Sequence, residues 1–388
     1  MSGHFSALLA LAEQPAPGIP VTVLTGFLGS GKTSLLNRLL ALPDLRDTAI
    51  IVNEFGATGI DQALVSFASE DTVLLANGCL CCSVRGDLVG ALERLAQRAE
   101  GAPRRVLIET SGLADPGPIL RSFLGEPTVR ARYFLAGVAC TVDAILAEAT
   151  LSAYPEARRQ LAVADLVLMT KTDLLAGAPV PAQLMVQVRS LNSGAPLSVD
   201  PASHVDLLLQ LMSASPGAID AGAQAPAYRA VQQAPDAAAV GVHREGISSF
   251  VLVRDQPLPT QAFGEWMDMV MAMRGDDLLR VKGIVHLLES PQQPLVIHGV
   301  QHLFAPPQRL PCWPRQERPR QERPGQEGPG QAWPGQESDR RTRIVFITRG
   351  LDAQALDETL SVLVRRHGRR ARGDGAAPTI SQKQGDRA

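Results

Sequence analysis

Two short stretches hold the residues most able to do chemistry: Gly26-Phe-Leu-Gly-Ser-Gly-Lys-Thr33 and Cys79-Leu-Cys-Cys82. In the first, glycines let the backbone curl until its N–H groups face phosphate oxygens. A helix opening directly behind the loop adds partial positive charge. Lys32 would reach the β and γ phosphates, and the Thr33 hydroxyl would take a coordination position on Mg²⁺. The nucleotide-binding candidates are therefore Gly26, Gly29, Ser30, Gly31, Lys32, Thr33 and Ser34. A chance match in a glycine-bearing turn is the alternative. The apolar strand before the loop and the amphipathic helix after it argue against that.

In the second stretch, Cys79, Cys81 and Cys82 are soft thiolate donors suited to Zn²⁺, Cu⁺ or iron–sulfur chemistry. A structural zinc site closes with four protein ligands, and only three are local. The remaining position would be open, or filled by water or a distant carboxylate or histidine, which suits a carrier that must release its cargo. Two other readings stand beside this one: three unrelated buried cysteines, and a redox sensor activated by the nearby helix N-terminus. Cys140 lies in an apolar run and reads as core.

Base selection points to a third motif, Thr170-Lys-Thr-Asp173, which follows the apolar run Leu166 to Met169. It matches the guanine-reading pattern in which Asp173 accepts from N1–H and the 2-amino group. Thr170 stands where Asn is usual, which weakens one base contact, and Lys171 completes the pattern. The alternative is an ordinary turn with Asp173 as a helix cap. Glu109-Thr-Ser-Gly112 closes another apolar run. Glu109 would orient the attacking water or act through one, and the Gly112 N–H would sense the γ-phosphate.

These residues need a scaffold that gathers them at one edge. Short apolar runs at 19–25, 48–53, 72–76, 105–109, 134–142 and 166–170 alternate with helix-like segments such as 87–100. That pattern predicts an α/β P-loop NTPase domain with a mostly parallel sheet covered on both faces. A small α+β C-terminal domain follows, with the order strand, helix, three strands, helix. The expected divisions are an N-terminal tail at 1–18, the GTPase domain at 19–200, a linker at 201–245 and the C-terminal domain at 246–370. A Pro/Gln/Glu-rich insert at 313–340 reads as disordered within it, and 371–388 as a disordered tail.

Composition narrows the classes. A net charge of −2 gives no nucleic-acid or anionic-membrane footprint. No stretch approaches the roughly 20 apolar residues a bilayer needs. Five cysteines, three of them crowded together, do not make a secreted disulfide framework and favour a reducing compartment, so a cytoplasmic location is expected.

Taken in order, the phosphate loop, Val52-Asn-Glu-Phe-Gly56 with Gly59-Ile-Asp61, Gly78-Cys-Leu-Cys-Cys82, Glu109-Thr-Ser-Gly112-Leu-Ala-Asp-Pro116 and Thr170–Asp173 resemble the CobW-type GTPases, a metallochaperone family. Val281-Lys-Gly-Ile284 and His298-Gly-Val-Gln-His302 look like that family's C-terminal domain. The resemblance implies a slow Mg²⁺-dependent GTPase that delivers Zn²⁺ or Co²⁺ to a client metalloprotein or a cofactor-synthesis enzyme. It carries a metal role to Cys79, Cys81 and Cys82, sets Glu54 and Asp61 near the magnesium or the metal, and makes Glu109 the hydrolytic glutamate. Ala57 departs from the Glu of many members, and the His-rich stretch of some members is missing. Self-association dependent on nucleotide or metal fits the same picture.

The leading reading is thus a GTP-hydrolysing metal carrier with Lys32, Glu109 and Glu54 in catalytic roles and Thr33 and Asp61 near metal. A non-catalytic regulator, in which GTP sets conformation and the thiols sense metal or redox state, is the competing class. A P-loop kinase is a third, and no acceptor pocket can be read for it. His286, His298 and His302 are further metal-ligand candidates in the second domain.

Overall fold

The structure, a computed structural model, describes residues 4–10, 18–42, 45, 47–53, 72–74, 83–97, 101–213, 246–314 and 339–373. In chain order the first unit comprises α1 (His4–Ala10), β1 (Ile19–Gly26), α2 (Lys32–Leu40), β2 (Thr48–Asn53), β3 (Thr72–Leu74) and α3 (Ser83–Ala96). It continues with β4 (Arg105–Thr110), α4 (Gly117–Gly125), α5 (Pro127–Arg130), β5 (Tyr133–Asp143), α6 (Ala147–Ala153) and α7 (Pro155–Ala162). β6 (Leu166–Thr170), α8 (Ala182–Leu191), β7 (Leu197–Ser198) and α9 (His204–Met212) complete it.

The strands form one seven-stranded sheet in the order β3-β2-β4-β1-β5-β6-β7, every neighbouring pair parallel. Parallel sheets need cover on both faces, which the sequence supplies as apolar runs with few polar interruptions. Along β1 successive side chains point to opposite faces. Val21 and Val23 pack with Leu88, Leu92, Leu95 and Phe123 from α3 and α4. Leu24 joins Leu35, Leu36 and Leu39 of α2 and Leu208 and Leu211 of α9 on the other side. Because all strands run the same way, their C-terminal ends collect Gly26, Asn53, Thr110, Asp143 and Thr170 along one edge.

The second unit comprises β8 (Ile247–Arg254), α10 (Thr260–Arg274), β9 (Leu278–Val285), β10 (Leu295–Val300), β11 (Leu303–Phe304), β12 (Gln308–Arg309), β13 (Thr342–Arg349) and α11 (Ala353–Gly373). Its antiparallel sheet runs β11-β10-β9-β13-β8, with β12 also pairing β10. The two-residue strands β11 and β12 were below the length that an apolar pattern reveals.

Four expected boundaries need correction. The stretch 1–18 is not simply a tail, because α1 inserts Phe5 and Leu9 into the core of the second sheet beside Phe263 and Trp266. Phe5 meets Phe263 and Phe304 edge to face at 5.8 and 5.3 Å, and Asp268 caps the helix by accepting from the Phe5 N–H at 2.6 Å. The linker does not begin at 201, since α9 buries Val205, Leu208, Leu211 and Met212 on the first sheet. The ends of the insert are built in: Trp313 donates to the Pro291 carbonyl at 2.8 Å, and Asp339 accepts from Arg341 and Arg343. Residues 315–338 lie outside the described ones. Finally, α11 runs past 370 to Gly373.

The two units share a buried boundary. Ile247, Leu279, Val345 and Ile347, on the face of the second sheet opposite its own core, pack with Leu184, Val188 and Leu191 of α8. Within that boundary Asp165 accepts from Arg280 Nη2 at 2.9 Å and pairs with Lys282 Nζ at 2.5 Å, while the Val138 N–H donates to it at 2.9 Å.

Candidate nucleotide and metal site

The phosphate loop is held in the curl its glycines permit. Gly29 and Gly31 have φ of 72° and 91°, in the region that costs any side chain strain. The loop is fastened from the side by hydroxyls. Ser30 Oγ lies 2.7 Å from Thr141 Oγ1, and Thr170 Oγ1 donates to the Ser30 carbonyl at 2.7 Å. Lys32, only 7% exposed, donates to the carbonyls of Gly26 and Phe27 at 2.8 and 3.2 Å. Its ammonium is therefore inside the loop, where a polyphosphate chain would meet it. Ser34 is exposed on the first turn of α2.

Thr33 Oγ1 donates to Glu109 Oε1 at 3.2 Å. Glu109 is buried near the end of β4, which pairs directly with β1, the strand that leads into the loop. A hydroxyl and a carboxylate converging beside the lysine form a hard-oxygen pair of the kind Mg²⁺ takes. Gly112 packs against the loop so closely that a Cβ would lie 2.7 Å from Leu28 N and 2.8 Å from its Cα. Nothing larger than hydrogen fits there.

At the other end of the edge, Lys171 takes the left-handed conformation with φ 59° and pairs with Asp143 Oδ2 at 2.7 Å. Asp143 Oδ1 accepts from the Ile145 and Leu146 N–H groups, so one carboxylate ties two loops together. Asp173 is exposed in the turn Thr172–Leu175, which has no side-chain cap. That disfavours the capping alternative and leaves its carboxylate facing outward. Thr170 differs from the expectation: its hydroxyl proton is committed to the Ser30 and Val142 carbonyls, so it braces the loop. Asp143 and Thr141 were missed because the residue that ends a strand looks like any other polar residue in sequence; only strand adjacency shows that they converge.

Glu54, Asp61, Cys79, Cys81 and Cys82 lie outside the described residues. The described chain does fix where that segment enters and leaves. β3 runs parallel to β2 and ends at Leu74 on the same edge as the phosphate loop, and Cys82 immediately precedes Ser83, the first residue of α3. Among the described residues no three His, Cys, Asp or Glu side chains gather into a metal-binding group. The second-domain histidines do not converge. His298 is half-buried beside Arg280 and Lys282, and desolvation together with those two cations drives its pKa well below the usual value, which disfavours a metal cation too. His286 packs against Trp313 at 5.2 Å, and His302 is exposed near Asp276.

Cys140 is core. Burial pushes its thiol up to about 12, with Lys32 opposing weakly. Brief treatment with N-ethylmaleimide at pH 8, read by mass spectrometry, should therefore leave Cys140 unmodified until the protein is unfolded, while exposed Cys312 reacts in the native state.

A phosphate-curled loop on a parallel sheet, with its lysine held inside the loop and its threonine hydroxyl bonded to a buried carboxylate, defines a P-loop nucleotide-binding protein. Residues 20–199 match the family model of the CobW/HypB/UreG nucleotide-binding domain, and residues 247–364 match that of the cobalamin synthesis protein cobW C-terminal domain. The chain belongs to the CobW/HypB/UreG family and is a GTPase of that family. It is 33% identical over 290 residues to the zinc chaperone YjiA of Escherichia coli, covering 74% of this chain and 87% of the relative. It is 36% identical over 247 residues to the zinc chaperone CobW of Pseudomonas aeruginosa, with 52% and 62% covered. It is also 33% identical over 202 residues to the zinc-regulated GTPase metalloprotein activator 1 of Saccharomyces cerevisiae, with 46% and 47% covered. The crystal structure of Zn(II)-bound YjiA GTPase from E. coli shares the fold, with a TM-score of 0.56 at 23% identity over 89% of this chain and 99% of that one. Among the described residues no helix is long and apolar enough to cross a membrane.

Proposed function

We propose that this chain is a metallochaperone that hydrolyses GTP to control capture and hand-over of a divalent metal ion, Zn²⁺ first and Co²⁺ as the other fit, to a client metalloprotein or cofactor-synthesis enzyme. Cys79, Cys81 and Cys82 hold the ion, with Glu54 and Asp61 near it or near the magnesium. The observation that carries this reading is topological. The strand leading into the cysteine motif, β3, lies on the same parallel edge as Thr33 and Glu109, one strand from β4. The names of the relatives, zinc chaperones and a zinc-regulated GTPase, support the choice of cargo.

Hydrolysis follows from the groups at that edge. Loop N–H groups and Lys32 bind the β and γ phosphates and offset charge on the γ-phosphoryl oxygens as the bond to the β-phosphate breaks. Thr33 and Glu109 are the residues that would hold Mg²⁺, which when bound neutralises phosphate charge. Glu109 orients the water whose oxygen forms the new bond to phosphorus, and Gly112 presents its N–H to the departing phosphate. Asp173 selects guanine, because adenine offers no matching donor pair, and Lys171 is steadied for the same task by Asp143.

Phosphate release measured with and without one equivalent of Zn²⁺ tests the coupling. The metal should stimulate turnover by about fivefold or more, the lower end of ordinary coupling energies, and Cys81→Ser should abolish that stimulation while leaving metal-free turnover in place. Turnover indifferent to metal and sensitive to dithiol oxidation would instead favour the sensor class.

A further inference from the structure

The helix α7 touches both sides of the nucleotide loops and the domain boundary. Immediately before it, the Tyr154 ring lies 4.6 Å from that of Phe27 in the phosphate loop. Near its end Gln160 is fully buried and donates through Nε2 to the carbonyls of Gly112 and Ala114 at 3.1 and 3.0 Å. The opposite amide orientation would set Oε1 against two carbonyl oxygens, so the assignment follows from the network. Arg159 pairs with Asp115 of the same loop at 3.7 Å. Just past the helix, Asp165 receives Arg280 and Lys282 from the second sheet. The Gly112 loop is thus pressed between Leu28 in front and Gln160 behind, on a helix whose far end is bolted to the other domain.

We infer that Gln160 is a positioning residue for GTP hydrolysis, holding Gly112 at the phosphate loop, and that α7 makes this grip depend on docking of the second domain through Asp165. The inference rests on the GTPase reading above. A diphosphate has no γ-phosphate to meet Gly112, so the grip contributes to triphosphate binding and turnover and not to diphosphate binding. By linkage, docking of the second domain and triphosphate binding strengthen one another by the same factor.

Fluorescence titration of the full chain with a labelled GDP and a labelled non-hydrolysable GTP analogue, together with turnover, tests it. Gln160→Met keeps the volume and removes both donors. It should lower the triphosphate-over-diphosphate preference and kcat by about fivefold or more, with GDP affinity within twofold of native. Arg280→Met leaves Asp165 paired with Lys282 and lies on the other domain, yet should lower the same preference by about fivefold. A Gln160→Met protein that keeps native preference and turnover overturns the inference, as a packing role alone would predict. If that variant fails to melt cooperatively, an unchanged preference in Arg280→Met overturns it. A native chain that neither binds nor hydrolyses GTP would overturn the functional reading instead.

Discussion

Replacing Lys32 with alanine is expected to lower GTP turnover by about 10²–10³-fold, the loss typical of removing one preorganised group that stabilises transition-state charge. The size follows from its setting. The residue is 7% exposed and its ammonium is enclosed by the loop's own carbonyls, so water cannot replace it effectively. Lys32→Arg should not restore activity, since a planar fork does not fit a loop curled around a point charge. Phosphate release at saturating GTP reads the effect, and an unchanged thermal midpoint separates it from unfolding. Turnover within tenfold of native would remove Lys32 from the catalytic role.

The second large effect is structural. Asp165→Asn should cost about 3–5 kcal/mol, because it strands two buried cations that share one carboxylate. Asp165 and Arg280 are each 2–3% exposed, so solvent offers little relief. Burial alone would push the Asp165 carboxyl up, but Arg280 and Lys282 outweigh it and hold the carboxyl low. Its contribution is therefore present above the ordinary carboxylate value and is lost as pH falls through the lower folded value. Lys282 adds a second rise of the same sign at alkaline pH. Burial lowers it to about 8 from 10.5 despite Asp165, so stability should rise with pH between those values as the folded state sheds its proton first. Urea midpoints of native and Asp165→Asn proteins from about pH 2 to about pH 10.5, spanning the carboxylate window below 3.8 and the lysine window from about 8 to 10.5, would show both trends, and a variant as stable as native at pH 7 would refute the account of the junction.

Much of this was legible in the residues themselves. Local, contiguous motifs such as Gly26–Thr33 and Glu109–Gly112 announce their chemistry because neighbouring backbone groups do the work. The strands of the first sheet were visible as apolar runs because both faces are covered. What stayed hidden depends on distant pairing. Asp143 matters only because β5 and β6 lie side by side, and Asp165 only because the second sheet turns Arg280 and Lys282 toward it. The helix at His4–Ala10 could have been found: Phe5, Leu8 and Leu9 follow a three-to-four spacing, although seven residues give a weak signal without the partner surface. Thr170 looked like a base contact from its motif position. Its hydroxyl instead serves the loop, because the Ser30 carbonyl is the nearer acceptor.

The central claim is that thiolate-bound metal and the third phosphate act on one another. Competition with a chelating dye should report the Zn²⁺ affinity of the full chain in its GDP-bound form and in its form bound to a non-hydrolysable GTP analogue. The account predicts affinities that differ by about fivefold or more, a difference lost in Cys81→Ser. Equal affinities in the two nucleotide forms would contradict it.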